Sequence, residues 1–122
     1  MTQRSQLRQA HRKAERAELK ALYTDFITEP ARLFGDALTH QTEDFTDLMR
    51  LTAMIGRMHL GSDRAVIDAA IRVEENLVET YLGPNRTLHE LMGFAHQGGA
   101  NFLIEFSEAC RQDLAARTTA IR

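Results

Sequence analysis

Two histidines, His89 and His96, stand seven residues apart, two helical turns, so a helix there would set both imidazoles on one face. A metal ion would need further ligands, and the neighbourhood supplies few. His89-Glu90-Leu-Met-Gly93 opens like a zinc-protease helix but lacks the second histidine four residues on. No glutamate precedes any of the five histidines by three residues, which argues against a di-iron carboxylate site. Neither a metal nor a cofactor is expected. Glu75 and Glu79, four apart with Glu74 and Asp68 nearby, could tune one another as acid and base, but also read as a solvated helix face beside Arg72. Cys110 is followed by Arg111, yet helix neighbours point about 100° apart. Four residues from Phe106, Cys110 reads as a buried thiol rather than a nucleophile. Asn85, Arg86 and Thr87 precede a helix start, where an anion could sit, although a turn and a cap already account for all three. Gly98-Gly99 has neither a preceding strand nor a Lys-Ser/Thr partner, and serine-hydrolase and dinucleotide patterns are missing.

Recognition offers a stronger pattern than catalysis does. Arg4, Arg8, Arg12, Arg16 and Lys20 recur every fourth residue and so form a cationic row on one helix face. Beside it, Leu7, Ala10, Ala14, Ala17 and Ala21 alternate by three and four, like a coiled-coil seam. Alanine buries little area, so pairing through this seam alone is weak. Residues 1–20 carry a net charge of +4 and the remainder −6, out of −2 overall. Such asymmetry marks a basic helix that meets an anionic surface, or one that docks on an acidic body, its own or another copy's. No aromatic residue occurs before Tyr23 and the net charge is negative, which disfavours nucleic acid. The seam lacks bulky apolar residues, so it does not support insertion into a bilayer.

The elements that must carry these residues are helical. At 122 residues, 43% hydrophobic and 26% charged, the chain suits one globular domain. A single cysteine, no apolar leader and no membrane-length apolar run point to a cytoplasmic protein. Alternating β-branched runs bounded by turns are missing. Leu19, Leu22, Tyr23, Phe26, Ile27, Leu33, Phe34, Ala37 and Leu38 keep helical phase across Pro30, which predicts one long first helix, kinked near the proline. A second helix is expected over residues 43–59 with Phe45, Leu48, Met49, Ile55 and Met58 inward, ended by Gly61. Ser62 would cap a third, whose buried face is Val66, Ala69, Ala70, Val73, Leu77 and Tyr81, stopped by Gly83-Pro84. Thr87-Leu-His-Glu90 is a capping box opening a short fourth helix to about His96. A last helix from about Asn101 turns Phe102, Phe106, Cys110 and Leu114 inward. The fold expected is all-α, an antiparallel up-and-down bundle of four to five helices. Residues 1–18 form a basic helical extension and 19–122 the bundle.

Five segments resemble a bacterial family of small helical proteins of unknown function. They are Tyr23-Thr-Asp-Phe-Ile27, Arg32-Leu-Phe-Gly-Asp-Ala-Leu38, Met54-Ile-Gly-Arg-Met-His-Leu60, Tyr81-Leu-Gly-Pro-Asn-Arg-Thr87 and Phe106-Ser-Glu-Ala-Cys-Arg-Gln-Asp-Leu114. The likeness covers about residues 20–115. Members often carry membrane helices upstream, which implies a basic segment at the inner face of the membrane. No activity is assigned to the family, so no catalytic residue carries over. Pro30 and the lack of an upstream membrane segment depart from its pattern. The function expected is a non-enzymatic interaction or scaffold domain whose basic row (Arg4, Arg8, Arg12, Arg16, Lys20) contacts a protein partner or an anionic membrane surface. The alternatives are a ligand sensor or enzyme with a pocket between helices near His89, His96, Cys110 and Arg111, and a homo-oligomeric structural module, a homodimer among the options.

Overall fold

The computed structural model describes residues 3–39, 46–82, 89–90, 93 and 101–121, without the side chains of residues 35–39, 81 and 120–121. It contains four helices of four residues or more among them, and no strand: α1 (Gln3–Thr39), α2 (Thr46–Met58), α3 (Arg64–Leu82) and α4 (Asn101–Ile121). The predicted capping box at Thr87, the glycine pair at Gly98-Gly99, Phe45 and His96 lie outside the described residues. His89, Glu90 and Gly93 are helical, in keeping with a short helix there.

The order of cross-helix contacts gives the topology. As α1 runs from Tyr23 through Phe26 to Phe34, its partners on α4 run backward through Asp113, Phe106 and Phe102. Tyr23 likewise meets Ser62, while Arg32 farther along meets Asp47. Both α2 and α4 are therefore antiparallel to α1, and α3 runs parallel to it. This is the up-and-down bundle that short connections favour.

The core is one cluster. Phe26, Leu33, Leu51, Met58, Leu77 and Phe106 are almost wholly buried, each contributing about 1.5–3 kcal/mol by leaving water. Phe106 packs against Phe26 with its ring tilted by 53° and centroids 4.8 Å apart, and meets Tyr23 edge-on at 6.2 Å. On the predicted inward face of α3, Val66, Ala69, Ala70, Val73 and Leu77 are all buried, and the side chain of Tyr81, the sixth residue of that face, lies outside the described ones. On α2 the phase differs from expectation. Leu51, Ile55 and Met58 are buried and Leu48 is partly so, whereas Met49 is 60% exposed. Residues 48, 51, 55 and 58 keep a spacing of three and four, and Met49 falls outside that stripe.

Helix α1 passes through Pro30 without a break. Proline removes the amide that would bond the Phe26 carbonyl, so that turn of α1 lacks one helical hydrogen bond. Burial compensates, since Pro30, Phe26 and Leu33 all sit in the core. At the start of α3 the cap is Asp63 rather than Ser62. The Asp63 carbonyl accepts the Val66 and Ile67 amides at 3.1 and 3.2 Å, and its carboxylate accepts the Arg64 amide at 3.0 Å. Gly61 lies in the turn after α2 without the left-handed conformation that glycine often supplies there.

Ionic contacts clamp the outer surfaces. Arg32 meets Glu29 at 2.9 Å and Asp47 at 3.0 Å, and Arg50 lies 3.7 Å from both acids. The Thr52 hydroxyl donates to Glu74 at 2.8 Å, and Arg72 reaches Glu105 at 3.6 Å.

Candidate functional site

Helix α1 has 37 residues, so it spans ~55 Å, against ~32 Å for the 21 residues of α4. Their contact fixes where the excess lies. Arg16 Nε donates to the Leu114 carbonyl at 3.1 Å. Counting antiparallel from that bond and from the Tyr23–Asp113 contact brings Ile121 level with a residue between Gln9 and Glu15. Residues 3–8 therefore pass beyond the described end of α4, by ~9 Å or more. From residue 3 to residue 15 every side chain is exposed except the half-buried Gln9.

The basic row is thus divided between two tasks. Arg4 and Arg8 stand exposed on this arm, and Arg12 and Lys20 are exposed nearer the body. Arg16 is half-buried and anchors α1 to α4. The seam beside the row faces solvent throughout: Leu7 is 65% exposed, and Ala10, Ala14, Ala17 and Ala21 are exposed too.

At the root of the arm lies a polar network that was not among the sequence expectations. The Tyr23 hydroxyl is 2.6 Å from Asp113 Oδ2 and 2.8 Å from Ser62 Oγ. A carboxylate only accepts, so the Tyr23 proton goes to Asp113 and the Ser62 hydroxyl donates to the Tyr23 oxygen. Arg117 Nε donates to both Asp113 oxygens at 3.2 Å, and the same guanidinium donates to the Gly61 carbonyl. One network so ties α1, the α2–α3 turn and α4. Among the described residues no buried side-chain nitrogen or oxygen lacks a partner. Burial, then the hydrogen bond to Asp113, pushes the Tyr23 phenol above its ordinary value. One signal for the network was available: Asp113 stands three residues after Cys110 and seven after Phe106, which puts an acid on the apolar face of α4.

Beside this network is an open groove of about 280 Å³, lined by Glu15, Glu18, Leu19 and Leu22 of α1 together with Arg57 of α2 and Arg117 of α4. None of the predicted pocket residues lines it. His89 is exposed on its own segment, and His96 lies outside the described residues. Cys110 is buried in the core, its thiol pushed up to about 12 by burial and then by the charge of Asp113. Arg111 points to solvent and pairs with Glu108, one turn earlier on α4. Glu75 and Glu79 border a shallow depression on the outer face of α3 with Glu74 and Val78. The described sequence candidates for a catalytic pocket are thus dispersed over separate faces.

Among the described residues, no three histidine, cysteine or acidic side chains gather in a way that could hold a metal ion. Nor is any described helix long and apolar enough to cross a membrane. Comparison with protein-family models, curated proteins and solved structures finds no match to this chain.

Proposed function

We propose that this chain is a non-enzymatic helical interaction module whose basic N-terminal arm docks on an acidic protein surface. The observation that carries this reading is the position of Arg4 and Arg8, exposed on the part of α1 that runs past the bundle. A helix of this kind is held in register by the body and projects a regular charge row, with cations about 6 Å apart along the axis. Protein is favoured over lipid because only Leu7 is bulky on the exposed seam, too little to anchor in a bilayer. Anionic lipid is the competing outcome, in line with the upstream membrane helices of the family that the sequence resembles. A pocket-based sensor or enzyme receives less support, because its candidate residues do not converge.

The test uses two probes, a fluorescent acidic helical peptide followed by anisotropy and anionic vesicles followed by sedimentation. Wild type binds the peptide in low salt, and binding fades as salt rises. Reversing the arm with Arg4→Glu, Arg8→Glu and Arg12→Glu abolishes it. Equal binding by both chains overturns the reading. Capture by vesicles but not by peptide replaces protein with membrane as the target.

A further inference from the structure

We infer that the acidic surface met by the arm belongs to a second copy of this chain, and that it is the outer face of α3. This rests on the interaction reading above and names its partner. The two surfaces carry the same pattern with opposite charge. Arg4-Ser-Gln-Leu7-Arg8 on the arm matches Glu75-Asn-Leu-Val78-Glu79 on α3. In each, two like charges four residues apart flank an apolar side chain. Those apolar side chains are exposed, Leu7 by 65% and Val78 by 38%. The charges have no partner of their own: among the described residues Arg4, Arg8, Glu75 and Glu79 make no ion pair, whereas Asp68, Arg72 and Glu74 on α3 are all engaged.

Geometry keeps the arm off its own α3. Tyr23 bonds Ser62, so α3 begins at the end of the bundle from which the arm leaves. Glu75 and Glu79 lie 12 and 16 residues beyond Asp63, ~18 and ~24 Å into the body. Arg8 and Arg4 lie 8 and 12 residues before Arg16, ~12 and ~18 Å the other way. One unbroken helix cannot fold back over that span. A second copy can supply the face. Related by a two-fold axis, the copies lie antiparallel, with Arg8 opposite Glu75 and Arg4 opposite Glu79. Leu7 comes near Val78, and the contact is made twice. Such an arrangement is closed and does not propagate. Exposed pairs are individually weak and screened by salt, so the dimer is a salt-sensitive one.

Sedimentation velocity on the full chain across concentration, at low and high salt, tests this. Wild type shifts from monomer to dimer with concentration in low salt and returns toward monomer in high salt. Arg4→Glu with Arg8→Glu, and separately Glu75→Arg with Glu79→Arg, each weaken association about tenfold or more. An equimolar mixture of the two variants regains the dimer, because each reversed arm then meets a reversed face. All four side chains are exposed, so circular dichroism melts in high salt, where wild type is monomeric too, are unchanged by the reversals. Wild type that stays monomeric in low salt, a dimer indifferent to both reversals, or a mixture that stays monomeric overturns the assignment. If wild type is monomeric yet still binds the acidic peptide through its arm, the interaction reading stands and only the second copy is excluded.

Discussion

Tyr23 carries a polar atom that ties three parts of the fold together. Its hydroxyl is the only group in the buried network that both donates to Asp113 and accepts from Ser62, so it joins α1 to two other elements. Tyr23→Phe keeps the ring against Phe106 and removes that hydroxyl alone. Asp113 then retains Arg117 but loses its shortest bond, within a buried setting. The expected loss of stability is about 1–3 kcal/mol, with an unchanged denaturant slope in urea unfolding. A change below ~0.5 kcal/mol would show that water replaces the hydroxyl at no penalty. Arg16 illustrates a different residue-scale point. It looks equivalent to Arg4, Arg8 and Arg12 by spacing, yet the approach of Leu114 converts it from a surface charge into an anchor.

At the scale of elements, length and exposure separate the arm from the body. Residues 3–8 bury no apolar side chain, and Leu7 is mostly in water. Removing residues 1–8 is therefore expected to leave the unfolding free energy of the bundle within about 0.5 kcal/mol, measured by urea denaturation of the two chains as monomers in high salt. A larger loss would mean that the arm contributes to the fold. The other elements were legible to different depths. On α3 the run Val66, Ala69, Ala70, Val73, Leu77 is regular enough to be read directly, and all five side chains are buried. On α2 two neighbouring apolar residues, Leu48 and Met49, compete for the inward stripe, and only packing chooses Leu48. Ser62 and Asp63 both suit an N-cap. Tyr23 takes the Ser62 hydroxyl, and Asp63 caps α3.

At the scale of the molecule, two acidic groups among the described residues sit where their charged forms are disfavoured. Burial holds the Cys110 thiol up to about 12 from an ordinary value of 9.0, and raises the Tyr23 phenol from 10.0. Both folded values lie above the unfolded ones. Their contribution is complete below pH 9 and declines as pH rises, because the unfolded chain releases its protons first. Stability measured by urea unfolding is expected to fall from about pH 9, and more steeply above pH 10. Cys110→Ala should remove the part of the decline that begins near pH 9. A flat profile up to pH 11 would contradict the burial of both groups.

Sequence alone determined the helical class, the inward face of α3, the passage of α1 through Pro30 and the cationic row, because each depends on spacing along one helix. Local periodicity also marked Cys110 as buried, and the structure agrees. What tertiary structure decided is which charges meet partners. Asp113 and Tyr23 lie 90 residues apart and become neighbours only when α4 returns antiparallel to α1. The same return leaves Arg4 and Arg8 beyond the bundle and takes Arg16 into it. Charge spacing is a property of one helix, whereas exposure depends on every helix packed around it. That is why the row could be read from the chain, and its division between arm and anchor could not.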